Sequence, residues 1–92
     1  GSLQKVATLS DDVSGRELEV FTTEPGLQFY TGNFLDGKIK TSAGKVINKN
    51  AALCLETQHF PNSPNQSSFP STLLSPGQTF HSETVYKLSL AK

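Results

Sequence analysis

Along this chain apolar and polar side chains alternate in short runs, and no window keeps apolar residues at i, i+3, i+4 and i+7 for three turns. Strands are therefore expected and helices are not. In Glu17-Leu18-Glu19-Val20-Phe21-Thr22, Leu18 and Val20 fall on one face and both carboxylates on the other, the pattern of a half-buried strand. Glu24-Pro25-Gly26 ends that run, since proline presets φ at one turn position and glycine accepts a positive φ at the next. A second strand is expected from Leu27 to Leu35. Asp36-Gly37 then favours a two-residue turn, which predicts a hairpin to Lys38-Ile39-Lys40.

Ala51 to Gln58 alternates Leu53, Leu55 and Thr57 with Ala52, Cys54, Glu56 and Gln58, which predicts a further strand. From His59 to Thr72 the run HFPNSPNQSSFPST carries three prolines and four serines, so a long stiffened loop is expected there, with neither helix nor central strand. Ser75-Pro76-Gly77-Gln78 reads as a turn. Thr79 to Leu90 reads as the last strand, with Val85, Lys87 and Ser89 facing away from Tyr86, Leu88 and Leu90. Five or six short strands separated by Pro/Gly turns predict an all-β fold, an antiparallel β-sandwich or part of one.

At 92 residues the chain allows one compact unit. Lys plus Arg and Asp plus Glu both total 8, so no basic excess exists to meet a phosphate backbone, and nucleic acid is not expected as a partner. No run of 18 apolar residues is present and residues 1–6 lack the apolar core of a signal peptide, so no membrane partner is expected. Cys54 is the single cysteine, which cannot form an intrachain disulfide and suits a reducing, cytoplasmic setting. There is no methionine at position 1, and Gly1-Ser2 has the look of residues left by tag removal. The chain is expected to begin partway through something longer, with residues 1–15 a lead-in and residues 16–92 the segment of a β-sandwich domain.

Candidate chemistry is sparse. His59 and His81 stand 22 positions apart with no ligand-spaced neighbours, so no metal site is expected and both read as solvent-facing. No Gly-rich phosphate loop occurs, and no cofactor is expected. Cys54, mid-strand among apolar neighbours, reads as a buried and inert thiol, while Asn65-Gln66-Ser67 matches a glycosylation acceptor only as a common three-residue pattern. Glu56 shares a strand face with Cys54 and Gln58. Enclosed, it would be a candidate general base with a raised pKa; by pattern alone it is the polar side of a half-exposed strand. Gln28 and Tyr30 share a face in the same way and suit either hydroxyl-rich ligands or plain solvation.

Two long motifs change the weighing. Glu24-Pro25-Gly26-Leu27-Gln28-Phe29-Tyr30-Thr31-Gly32-Asn33-Phe34 and Cys54-Leu55-Glu56-Thr57-Gln58-His59-Phe60-Pro61-Asn62 closely resemble the aldose 1-epimerase (mutarotase) family. The likeness continues through Asn65-Gln66, Phe69-Pro70, Pro76-Gly77 and Tyr86-Lys87-Leu88, covering residues 16 to 90 in the order of that family's C-terminal end. The resemblance implies a large antiparallel β-sandwich of which this chain supplies part. It also implies exchange of the α and β anomers of aldohexoses such as galactose and glucose without metal or organic cofactor. The position of Glu56 would be the general base acting on the C1 hydroxyl, and that of Gln28 a sugar-binding amide.

The family's acid is a histidine from an earlier part of its chain, and neither His59 nor His81 falls at a matching position. The expected partners are therefore an aldohexose and the missing N-terminal part of the same enzyme, without which the chain is expected to be inactive. The alternative is a non-catalytic carbohydrate-binding or structural β-sandwich module.

Overall fold

The computed structural model describes residues 1–90 and forms seven strands, all paired antiparallel, with no α-helix among the described residues. The all-β expectation holds. β1 (Gln4–Ser10), β2 (Arg16–Thr22) and β7 (Thr84–Leu90) form a three-stranded sheet with β2 in the centre. β3 (Gly26–Tyr30) pairs with β6 (Cys54–Gln58), and the two-residue strands β4 (Ile39–Lys40) and β5 (Val46–Ile47) pair with each other.

Register explains why the three-stranded sheet has two chemically different faces. On one face Leu9 stands beside Leu18 and Leu18 beside Leu88, with Ala7, Val20 and Tyr86 in the next row. On the other, Thr8, Glu19 and Lys87 align, and the Glu19 carboxylate lies 3.2 Å from Lys5 Nζ and 3.9 Å from Lys87 Nζ. Exposed pairs of this kind contribute at most about 1 kcal/mol each, so the sheet's organisation rests on its apolar face. A bulge at Val6 keeps β1 in phase, placing Lys5 opposite Phe21 and Ala7 opposite Val20.

That apolar face is only partly covered. Val20 is the one fully buried large apolar side chain among the described residues, whereas Tyr86, Leu88 and Leu90 are 58, 79 and 69% exposed. The accessible surface is 7226 Å², against about 5,200 Å² for a compact chain of this mass. The radius of gyration is 17.0 Å, against about 12 Å for a compact chain of this length. These strands form sheets without the opposing layer that would bury them.

Several strands differ from expectation. Gln4–Ser10, within the stretch expected as a lead-in, is a full edge strand. β3 stops at Tyr30 instead of Leu35, because Gly32 turns the backbone at φ 75° and its carbonyl accepts hydrogen bonds from the N–H groups of Leu35 and Asn50. Asp36-Gly37 forms a bend and not the expected hairpin turn, with the Asp36 carboxylate accepting from Lys38 N–H. The hairpin lies one turn later: Thr41 N–H and the Lys45 carbonyl close the loop between β4 and β5. Residues 51–53 and 79–83 are irregular, so β6 and β7 begin at Cys54 and Thr84. The Pro-rich loop holds one 3₁₀ turn, Ser63–Asn65, which Pro64 tolerates at a first-turn position.

The β1–β2 connection is held by Asp11, whose backbone pairs with Arg16 and Gly15 and whose carboxylate accepts from Ser14 N–H at 3.0 Å. Hydrogen bonds from Ser14, the hydroxyl foremost and then the backbone, hold this carboxyl below its ordinary 3.8. A depressed carboxyl stabilises the fold fully above the unfolded value, and that contribution is lost as pH falls through the folded value. A carboxyl-detected NMR titration is expected to give Asp11 a midpoint below 3.8, moved upward by Ser14→Ala. A midpoint at or above 3.8 in the unsubstituted chain would contradict this turn geometry.

Candidate functional site

The β3–β6 ribbon places the two sequence-predicted site residues directly opposite one another. The register runs Gly26–Gln58, Leu27–Thr57, Gln28–Glu56, Phe29–Leu55 and Tyr30–Cys54. Side chains of a directly opposed antiparallel pair have Cβ atoms about 5 Å apart, so one small ligand can meet both the Gln28 amide and the Glu56 carboxylate. By the two-residue period, Gln28, Tyr30, Cys54, Glu56 and Gln58 share one face, and Leu27, Phe29, Leu55 and Thr57 the other. The amide offers both donor and acceptor, the ionised carboxylate accepts only, and the phenol does either. Such a face matches a polyhydroxylated ligand.

Glu56 and Gln28 are both exposed, so Glu56 lies on an open polar strand side, the reading that alternation alone gives it. Cys54 is exposed too, contrary to its reading as a buried thiol, because the face it shares with Glu56 has no layer over it. Among the described residues, no group of three or more His, Cys, Asp or Glu side chains could hold a metal ion.

Both ends of the ribbon are fastened. At one end Asn50 reaches across, its side-chain amide donating to the Thr31 carbonyl at 2.7 Å and to Asn33 Oδ1 at 2.9 Å. At the other, Gly26 lies against Phe60: a Cβ there would come within 2.9 Å of the Phe60 ring and 3.1 Å of the Gln58 carbonyl. Phe60 is itself packed on Phe69, with ring centroids 5.2 Å apart, and its carbonyl accepts from the Ser63 hydroxyl. Only glycine admits this approach.

Sequence reasoning missed one pairing. His59, read as solvent-facing, directs Nδ1 to Glu24 Oε1 at 3.0 Å, with side-chain exposures of 29 and 11%. Both residues border a cleft of about 600 Å³ that also includes Gln4, Thr22, Phe80 and His81, but neither Gln28 nor Glu56. Once Gly26 is paired with Gln58, Glu24 and His59 necessarily lie at the same end of the ribbon, and only that register reveals the pair.

The family model described as aldose 1-epimerase matches residues 1–87. This chain belongs to the aldose 1-epimerase family. The match begins at the first residue, so it includes β1, beyond the expected start at residue 16. Among curated relatives, galactose mutarotase of Mus musculus is 56% identical over 78 residues, covering 85% of this chain and 23% of the relative. Galactose mutarotase of Homo sapiens is 50% identical over 93 aligned positions, 99% of this chain and 27% of the relative. Aldose 1-epimerase of Escherichia coli (strain K12) is 38% identical over 73 residues, 77% of this chain and 21% of the relative. The chain thus spans about a quarter of the length of these relatives.

Replacing Gly26 with alanine is expected to overpack the ribbon end and cost about 1–3 kcal/mol, seen as a lower urea midpoint. An unchanged midpoint would mean that Phe60 does not seat against Gly26.

Proposed function

We propose that this chain is the C-terminal part of an aldose 1-epimerase, an isomerase that interconverts the α and β anomers of aldohexoses such as galactose and glucose. The observation that carries this reading is the direct cross-strand pairing of Gln28 with Glu56 in a chain of this family. Glu56 takes the proton from the C1 hydroxyl while the C1–O5 bond breaks and O5 takes up a proton. The open-chain aldehyde then turns about C1–C2, and the reverse steps close the ring on its other face. Gln28 holds the sugar by donating to one hydroxyl and accepting from another. The proton for O5 comes from an acid on the remainder of the enzyme.

The same remainder covers what this chain leaves bare. The surface in excess of a compact chain is about 2,000 Å², well above the ~800 Å² that each partner contributes to a standard interface. Its apolar part includes a depression bordered by Leu9, Leu18 and Leu88. The chain's lone, unpaired cysteine suits a cytoplasmic enzyme; among the described residues no helix is long and apolar enough to cross a membrane. The exposure of Glu56 favours a second reading, a sugar-binding or structural module without catalysis.

Polarimetry of freshly dissolved α-galactose separates the two. The longer polypeptide is expected to accelerate mutarotation, Glu56→Gln to lower that rate by about 10²–10⁴-fold, and the 92-residue chain alone to give no acceleration over buffer. A folded Glu56→Gln protein with an undiminished rate would remove Glu56 from the mechanism, and the module reading would take its place.

A further inference from the structure

β3 and β6 hydrogen-bond as strands only to each other among the described residues, and a two-stranded ribbon is marginally stable by itself. The alignment of Gln28 with Glu56 therefore depends on what fixes the ribbon's ends. At the end nearer β2, the fixing groups form a continuous series. Thr22 is 1% exposed, and its hydroxyl oxygen accepts from Glu24 N–H at 3.0 Å. Glu24 in turn holds His59 through its carboxylate at 3.0 Å. A carboxylate accepts only, so Nδ1 of His59 carries the hydrogen. His59 follows Gln58 directly on β6, and Glu24 is joined to Gly26 on β3 through Pro25, whose fixed φ transmits its placement.

The geometry points to His59 and Glu24 as a positioning pair that sets the register of Gln28 against Glu56, an inference that rests on the proposed epimerase reading. Neither touches the reacting atoms; both act through the ribbon. The carboxylate is 11% exposed and, among the described residues, His59 is its one side-chain partner, so loss of the imidazole leaves a largely buried charge uncompensated. Glu24 then turns outward to water. The Glu24-Pro25-Gly26 turn loosens with it, and Gly26 moves off Phe60 and Gln58. A displacement of this kind separates the base from the amide that holds its substrate.

Asparagine at position 59 discriminates positioning from bulk stability, because its amide nitrogen branches from Cγ as Nδ1 does and can donate to the same oxygen. In the longer polypeptide, His59→Ala is expected to lower kcat for α-galactose by about tenfold, with His59→Asn restoring most of it at an equal thermal midpoint. Unchanged kcat in His59→Ala, alongside an inactive Glu56→Gln protein, would overturn the positioning role and leave the epimerase reading intact. Equal losses in the alanine and asparagine variants, in step with their thermal midpoints, would overturn it too, by reducing the pair to ordinary stabilisation. Full activity of Glu56→Gln would sink the reading itself and, with it, the catalytic consequence of the pair.

Discussion

Thr22 sits where the two principal sheets meet, and its hydroxyl is the polar junction on which the rest is hung. It donates to the Glu83 carbonyl at 3.1 Å, lies 3.1 Å from the Thr84 hydroxyl and accepts from Glu24 N–H. The Thr84 hydroxyl is in turn 2.9 Å from that of Thr57 on β6. Thr23 completes the joint, its N–H donating to the Glu83 carbonyl and its hydroxyl accepting from Glu83 N–H. Three threonines from strands far apart in sequence thus tie β2, β7 and β6 together, and the buried hydroxyl leaves no donor or acceptor unmatched. Because a lost buried hydrogen bond costs about 1–3 kcal/mol, this small network outweighs the exposed ion pairs on the sheet's polar face.

Above and below that junction the molecule is open. One face of the three-stranded sheet carries Leu9, Leu18, Leu88 and Tyr86 in rows, and one face of the ribbon carries Gln28, Tyr30, Glu56 and Gln58. The two unfinished surfaces ask for different things. The leucine rows need an apolar layer to be buried, whereas the ribbon face needs a polar ligand and a wall that excludes water. A sandwich supplies both at once, which is why a quarter-length segment of this family has the bonds of a fold and few of its buried contacts.

Alternation alone located β2, because a central strand with one apolar face shows period two cleanly: Leu18 and Val20 on one side, Glu17 and Glu19 on the other. Edge strands were harder. β1 is exposed at nearly every position and carries a bulge at Val6, so its polar and apolar residues do not sort into faces by counting. The pairing of Gln28 with Glu56 was out of reach of local pattern, since it depends on Gly32 ending β3 early and on Asn50 reaching back across to Thr31. Likewise, Asp36-Gly37 promised a hairpin on local turn chemistry, but the carbonyl of Ile47 captures Gly37 N–H and draws the chain toward β5 instead. The exposure of Cys54 misled for a different reason: apolar neighbours along a strand imply burial only where another layer packs on it.

The central claim is that Glu56 and Gln28 meet the same hexose. A crystal structure of the longer polypeptide soaked with galactose tests it most directly. The Glu56 carboxylate is expected within about 3 Å of the anomeric hydroxyl and the Gln28 amide on a neighbouring hydroxyl of the same ring. A sugar seated elsewhere, as in the cleft beside His59 and His81 with Glu56 left in water, would contradict it.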